Sequence, residues 1–256
     1  MEAVTRGPYQ GVTNIIRFNW HFYVIAGVSI AALVVGGRSL SNGMFWLCIV
    51  PATGIFASTI ISLFVSHYVY DRSGLYNFGW LREFDRTSAG NIVNIHAGFD
   101  ETSRILKTSF PEAHLQVFDF YDSARHTEVS IERARKAYPK YNGTVKITTS
   151  ELPLAESSID IIFNILALHE VRNRDERIHL LKEQVRALRQ GGKIVVVEHL
   201  SDMPNFLAYN IGFFHFLSAR EWSTNFDQAG LCIDRKFKIT PFINVFVLRK
   251  TDGNTR

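Results

Sequence analysis

Charge is what the amino-terminal part of this sequence lacks. Between Phe18 and Tyr70 the only charged side chain is Arg38, which excludes an ordinary solvated surface over that length. Cysteine is scarce as well. Cys48 and Cys232 stand far apart in apolar settings, so a disulfide framework is excluded and a reducing compartment fits. No Lys/Arg run tracks along the chain, and the formal net charge of +4 does not mark a nucleic-acid binder. A mildly basic balance suits contact with anionic membrane instead. No G-x-G-x-x-G follows the first strand-like run, which argues against a nicotinamide-dependent reductase.

What fills the uncharged region is two apolar stretches, "FNWHFYVIAGVSIAALVVGG" and "GMFWLCIVPATGIFASTIISLFVSHYVY". Each is long enough to cross a bilayer core as a helix. The sequence therefore predicts a transmembrane hairpin over residues 1–70, with helices at about 18–37 and 43–68 and a kink at Pro51. A signal peptide fits poorly, since no convincing cleavage site follows the first stretch and a second span comes at once. Arg6, Arg17 and Arg72 flank the open end against Arg38 in the turn, which predicts that both termini, and the whole chain after the hairpin, are cytoplasmic. Small residues such as Gly27, Ala31, Gly54 and Ala57 allow close helix contact.

After residue 70 the composition turns charged, and strand-like and helix-like runs alternate. "NIVNIH", "HLQVFDF", "TVKITT", "SIDIIFNI" and "KIVVVEH" read as strands, and "LCIDRKFKI" with "FINVFVLRK" as a closing pair. The helix "RDERIHLLKEQVRALRQ" is expected to stop at Gly191 and Gly192. Continuous apolar strands alternating with helices predict a parallel sheet covered on both faces. Ligands of such sheets bind outside the carboxyl ends of the strands. The division expected is an interfacial linker or lid at 71–89, a catalytic domain at 90–250 and a tail at 251–256.

"ELPLAESSIDIIFNILALHEV" followed by "LLKEQVRALRQGGKIVVVEH" resembles the second half of a class I S-adenosylmethionine-dependent methyltransferase. The likeness is closest to the type 11 group that includes quinone-ring methylases. It covers roughly residues 90–250, and the terminal "WSTNFDQAGL" with its strand pair is similar too. The resemblance implies a Rossmann-like α/β fold, seven-stranded with an antiparallel last strand, and S-adenosylmethionine as cofactor. The hairpin lies outside it.

The family's glycine-rich cofactor loop falls here on "NIHAGFD", where one glycine remains. The resemblance assigns His96, Ala97 and Gly98 to the methionine end, Gly98 because no Cβ intrudes. Asp100 takes the cofactor's ammonium or caps the following helix. The ribose acid is Asp119 or Asp122, since a carboxylate accepts from both hydroxyls. Thr148 and Thr149 stand at the adenine position, and Asn164 is expected to face the sulfonium.

Transfer from a sulfonium is already downhill, so alignment and exclusion of water dominate. A base is needed only where the acceptor loses a proton. His169 with Glu170 and Glu198 with His199 are the candidates at strand ends, each histidine having the alternative of a loop residue bonded to backbone. Tyr70, Tyr76 and Trp80 are expected over the acceptor, and Phe213 and Phe214 belong to an aromatic segment that dips toward lipid or lines a greasy pocket. No metal is expected. Together these predict a membrane-anchored methyltransferase acting at O or C of a lipophilic small molecule. A phospholipid N-methyltransferase and a non-catalytic membrane protein with a degenerate fold are the alternatives. Lipid is an expected partner, nucleic acid is not, and a homo-oligomer is left open.

Overall fold

The computed structural model describes residues 6–40, 42–84, 89–125 and 129–251. The expected tail at 251–256 lies outside the described residues except for Thr251.

Two helices carry the uncharged sequence, α2 (Trp20–Arg38) and α3 (Asn42–His67). Both are long and apolar enough to cross a membrane, with mean hydropathies of 1.7 for Trp20–Arg38 and 2.0 for Met44–Arg72. Val28, Leu47 and Phe64 on them are exposed. The close approach of the pair is at Gly37, where a Cβ would lie 3.0 Å from the Cβ of Cys48; at the expected contact residues Gly27 and Gly54 nothing lies within 4 Å. The helix assignment of α3 runs through Pro51 and passes into a π-helical turn, Tyr68–Arg72.

Ahead of them the sequence conceals a separate helix, α1 (Gln10–Phe18), divided from α2 at Asn19. It has no side-chain cap of its own. Asp71, at the far end of α3, supplies one: its carboxylate accepts from Gly11 N at 2.5 Å and Val12 N at 3.0 Å. These are orphan donors of the first helical turn, which an anion satisfies best.

The catalytic domain holds a seven-stranded sheet in the order β3-β2-β1-β4-β5-β7-β6. Strands β1 (Asn91–His96), β2 (His114–Asp119), β3 (Val145–Lys146), β4 (Ile159–Ile165) and β5 (Leu188–His199) run parallel. The last pair, β6 (Leu231–Thr240) and β7 (Ile243–Lys250), is antiparallel. Helices α4 (Ser103–Ser109), α5 (Val129–Ala137), α6 (Arg174–Ala187), α7 (Met203–Tyr209) and α8 (Ala219–Gln228) connect them. Every residue of β4 is buried, as a central parallel strand requires. One face packs Val93, Ile95, Ile162 and Val196 against Trp222 and Phe226. The other packs Ile92, Phe163 and Val195 against Leu106 and Phe110.

Three expectations change. The third strand shrinks to two exposed residues at the sheet's edge. Helix α6 stops at Ala187, and Gly191 and Gly192 fall inside the β5 segment rather than at a helix cap. Leu75, Phe78 and Leu81 are buried in the second core cluster, so this part of 71–89 is a layer of the domain and not a linker.

Candidate functional site

Strand order reverses between β1 and β4, and their carboxyl ends open the crevice where doubly wound sheets bind ligands. A cavity of about 230 Å³ lies there. Its walls come from the turn after β1 (Ala97, Phe99), the last residue of β4 and the loop after it (Ile165; His169, Glu170) and the end of β5 (His199). α1 closes it with Asn14, Ile15 and Phe18, and Tyr70 and Tyr76 complete it.

The β1 turn is tight. Gly98 has φ +93, and a Cβ there would meet Arg135 Nη1 at 2.6 Å and Tyr121 Cβ at 2.9 Å. Asp100 does cap the helix: Oδ1 accepts from the amides of Thr102 and Ser103 at 2.9 Å each. Its Oδ2 is buried with no partner, as is His96 Nε2. Gly98 N donates to His96 Nδ1 at 3.1 Å, so the neutral ring carries its proton on Nε2 as an unsatisfied donor, while Asp100 Oδ2 is an unsatisfied acceptor; both are costly when buried. Burial also lowers the pKa of His96 below the usual histidine range, so its ring stays neutral. The free carboxylate oxygen of Asp100 suits the ammonium of an amino-acid-bearing cofactor, and the Nε2–H of His96 suits its carboxylate. Both roles open for Asp100 are thus compatible, one oxygen for each.

At the end of β2, Asp119 is fully buried, whereas the side chain of Asp122 is 49% exposed. Asp119 Oδ2 takes Arg135 Nη1 at 2.7 Å and Lys140 Nζ at 3.6 Å. Arg135 also donates to the Gly98 carbonyl at 3.3 Å and lies over the Tyr121 ring at 4.5 Å. The guanidinium therefore spans the interval between the glycine turn and the acid.

The structure redirects several expected residues. Asn164 does not face the crevice: its amide pairs reciprocally with Gln184 of α6 at 2.8 and 3.2 Å, because strand parity turns it to that face. Thr149 is buried and donates to Glu176, while Thr148 is exposed and bonds to Ser150. Trp80 donates to the Leu75 carbonyl at 3.2 Å and stacks among Phe78 and Phe84, away from the cavity lining. Phe213 and Phe214 do not line it either; Phe216 does, its ring stacked on His199 at 4.7 Å. Tyr76 lines the cavity and donates to Glu101 Oε2 at 3.0 Å, with Arg6 on Oε1 at 2.5 Å. Burial, reinforced by Glu101, pushes the Tyr76 phenol well above its ordinary pKa.

The two histidines at the strand ends differ in protonation. Around His169 burial alone would lower the pKa, but Glu198 and Glu170 outweigh it and lift the ring to about 10. Nδ1 donates to Glu198 Oε2 at 2.6 Å, and Nε2 lies 3.0 Å from Glu170 Oε1. His169 is an imidazolium with both protons engaged, so it is no base at neutral pH. Glu198 and Glu170 are its counter-ions, with Glu170 held well below the usual carboxylate range by that imidazolium despite its own burial. Glu170 also pairs with His215 at 3.1 Å. Ligand-type atoms of His169, Glu170 and His215 lie within 4.8 Å of one another. These contacts, with Arg172 donating to His215, join them as an ion-pair network.

His199 is the opposite case. Burial, aided by the charge on His169, lowers it to about 4, so it is neutral. Asn205 fixes its tautomer: the amide nitrogen donates to Asp202 Oδ1 at 2.8 Å and the Phe242 carbonyl at 3.1 Å. That turns Asn205 Oδ1 toward His199 Nδ1 at 3.0 Å, so Nδ1 carries the proton. Nε2 is then a bare acceptor, facing the Tyr70 hydroxyl at 2.9 Å. Sequence reasoning placed both residues near the acceptor without pairing them, since 129 positions separate them.

Residues 118–196, from the end of β2 into β5, match the methyltransferase domain family. Human N-acetylserotonin methyltransferase, solved in complex with S-adenosylmethionine, is similar over 97% of this chain and 72% of its own, at 14% identity and a TM-score of 0.57. The chain has a class I methyltransferase fold. Mitomycin 7-O-methyltransferase is similar over 96% of this chain and 74% of its own, at 14% identity and a TM-score of 0.53. A S-adenosylmethionine-dependent methyltransferase from Aquifex aeolicus covers 75% of this chain and 97% of its own, at 15% identity and a TM-score of 0.51. Curated proteins give no sequence match. The domain match and the fold support a methyltransferase whose cofactor is S-adenosylmethionine.

Proposed function

We propose that this methyltransferase is anchored in a membrane by α2 and α3 and methylates an oxygen or carbon of a lipophilic molecule dissolved there, one with a phenolic or quinone-like head. The observation that carries the reading is the contact between Tyr70 and His199. Tyr70 sits in the turn that ends the apolar hairpin, and its hydroxyl reaches the neutral base of the catalytic domain at 2.9 Å. The segment that holds the protein in lipid is thus also a wall of its acceptor pocket, where anchoring raises the local acceptor concentration.

S-adenosylmethionine, when bound, supplies the electrophilic methyl group. Gly98, His96 and Asp100 would hold its methionine end, and Asp119 would hold the ribose in place of its present cationic partners. His199 Nε2 takes the proton of a hydroxyl acceptor, directly or through the Tyr70 hydroxyl. That leaves the acceptor oxygen with the free lone pair that methyl transfer requires. Asn205 keeps His199 in the useful tautomer, and α1 with Phe216 excludes water. Cytoplasmic placement of the domain follows from Arg6, Arg17 and Arg72 at the open end of the hairpin.

The test uses the full chain in vesicles containing a lipid extract, with cofactor labelled on its methyl group. Label moves into the organic phase with the native protein. In Tyr70→Phe and His199→Gln it falls at least ~100-fold while cofactor binding persists, the lower end for loss of a general base. Label that stays wholly in water-soluble products refutes the lipophilic acceptor.

A further inference from the structure

The segment from Met203 to His215, α7 and the 3-10 turn after it, exposes a run of apolar side chains. Met203 is 67% exposed, Leu207 61%, Ile211 76% and Phe214 79%. A soluble domain rarely gathers such residues in one short stretch without a surface to meet. Two positions of α7 face inward: Asn205 and Ala208 are buried, and Asn205 is the residue that orients His199. The segment is therefore amphipathic and rigidly attached to the site.

Its location says what covers it. α7 packs beside α3, one of the two span-length apolar helices, so its exposed face continues theirs. Cations flank it. Lys238 lies 3.7 Å from Asp202 at its start, and Arg172 donates to the His215 carbonyl at its end. Apolar side chains bordered by lysine and arginine suit the boundary between acyl chains and anionic headgroups.

We infer that α7 and the following turn form a second membrane contact, lying in the interfacial layer of the bilayer beside α3. The segment leads into Phe216, and α3 leads into Tyr70; both residues line the pocket. The two lipid-facing elements thus converge on one mouth, through which an acceptor reaches His199 from the bilayer without crossing water. This rests on the membrane-anchored reading above.

The full chain, with Cys48 and Cys232 replaced by serine, is labelled with an environment-sensitive fluorophore at Leu207→Cys, Ile211→Cys, Val28→Cys or Glu156→Cys. Val28 reports the hairpin, and Glu156 the loop before β4, at the amino-terminal end of the central strand and so opposite the crevice. Each variant is reconstituted in phosphatidylcholine–phosphatidylglycerol vesicles with lipids brominated high in the acyl chain, after checking that it binds S-adenosylmethionine. The expected result is loss of fluorescence at positions 207, 211 and 28, and none at 156. Quenching at 28 with 207 and 211 resembling 156 overturns this inference and leaves the anchoring intact. No quenching at 28 overturns both. Fluorescence at 207 and 211 that responds to protein density and not to bromine assigns the face to a second copy of the chain, which also overturns it.

Discussion

Gly11 offers the sharpest test of how the amino terminus closes the site. A Cβ built there lies 2.4 Å from Tyr70 Cβ, 2.8 Å from Asp71 Oδ1 and 3.1 Å from the Tyr70 carbonyl carbon. Carbon atoms rest at ~3.5 Å or more, so alanine drives α1 away by ~1.1 Å. None of the three yields easily, because they are a backbone carbon, a Cβ fixed directly to the backbone, and a carboxylate held by His67 at 3.0 Å. The bonds from Gly11 and Val12 to Asp71, now 2.5 and 3.0 Å, stretch to ~3.6 and ~4.1 Å, beyond hydrogen-bond range. Losing two charge-assisted bonds, partly regained from water, costs about 2–4 kcal/mol. Gly11→Ala should therefore lose protection of the α1 amides in hydrogen exchange. Cofactor and acceptor affinity should weaken together, since Asn14, Ile15 and Phe18 line the cavity. Gly27→Ala, where nothing lies within 4 Å, serves as the control and should be neutral or slightly stabilising. If Gly11→Ala shows native exchange and binding, α1 is not clamped as described.

Asp119→Asn should weaken S-adenosylmethionine binding ~10-fold or more by calorimetry, and Asp122→Asn should leave it unchanged, because the buried carboxylate makes the charge-assisted bonds. Gly98→Val should abolish that binding, since both its positive φ and its neighbours exclude a branched side chain. His169 has a pKa raised from the unfolded value to about 10, so its contribution to stability is complete below pH ~6.5 and is lost as pH rises through 10. Thermal melts of the native protein should fall over that window, and His169→Gln should flatten the slope. His199, lowered to about 4, should keep the transfer rate from dropping between pH 7 and 5, where an ordinary histidine would already be protonated; a midpoint near 6.5 in the rate profile refutes its neutral role.

The sheet was legible because its central strands are unbroken apolar runs, and a strand buried on both faces writes itself that way. "SIDIIFNI" announces β4 without help from tertiary contacts. The edge strand was overextended for the converse reason: Val145 and Lys146 are exposed, and no pattern in "TVKITT" says where pairing ends. Asn164 was placed at the right strand end but on the wrong face, since a period of two fixes alternation and not its sign. Helix α1 was missed because it is short and abuts a longer apolar stretch, with Asn14 buried in it as the partner of Tyr138 at 2.8 Å. That contact spans 124 positions, and nothing local signals it. The ionisation of His169 and His199 was equally hidden: two histidines in similar loops differ because one lies between carboxylates and the other beside an amide.

Asp71 ties the first helix to the end of the second span, and this has a practical consequence for anyone seeking a tractable fragment. Trimming the apolar region to obtain a water-soluble piece removes Arg6, Asn14 and Phe18 along with it, and cutting past residue 70 removes Tyr70 too. Such a piece keeps its sheet and Asp119 but has an open trough where the intact chain has a chamber. Inactivity in that piece would say nothing about the enzyme, and detergent or nanodisc samples of the whole chain are the proper material for finding its acceptor.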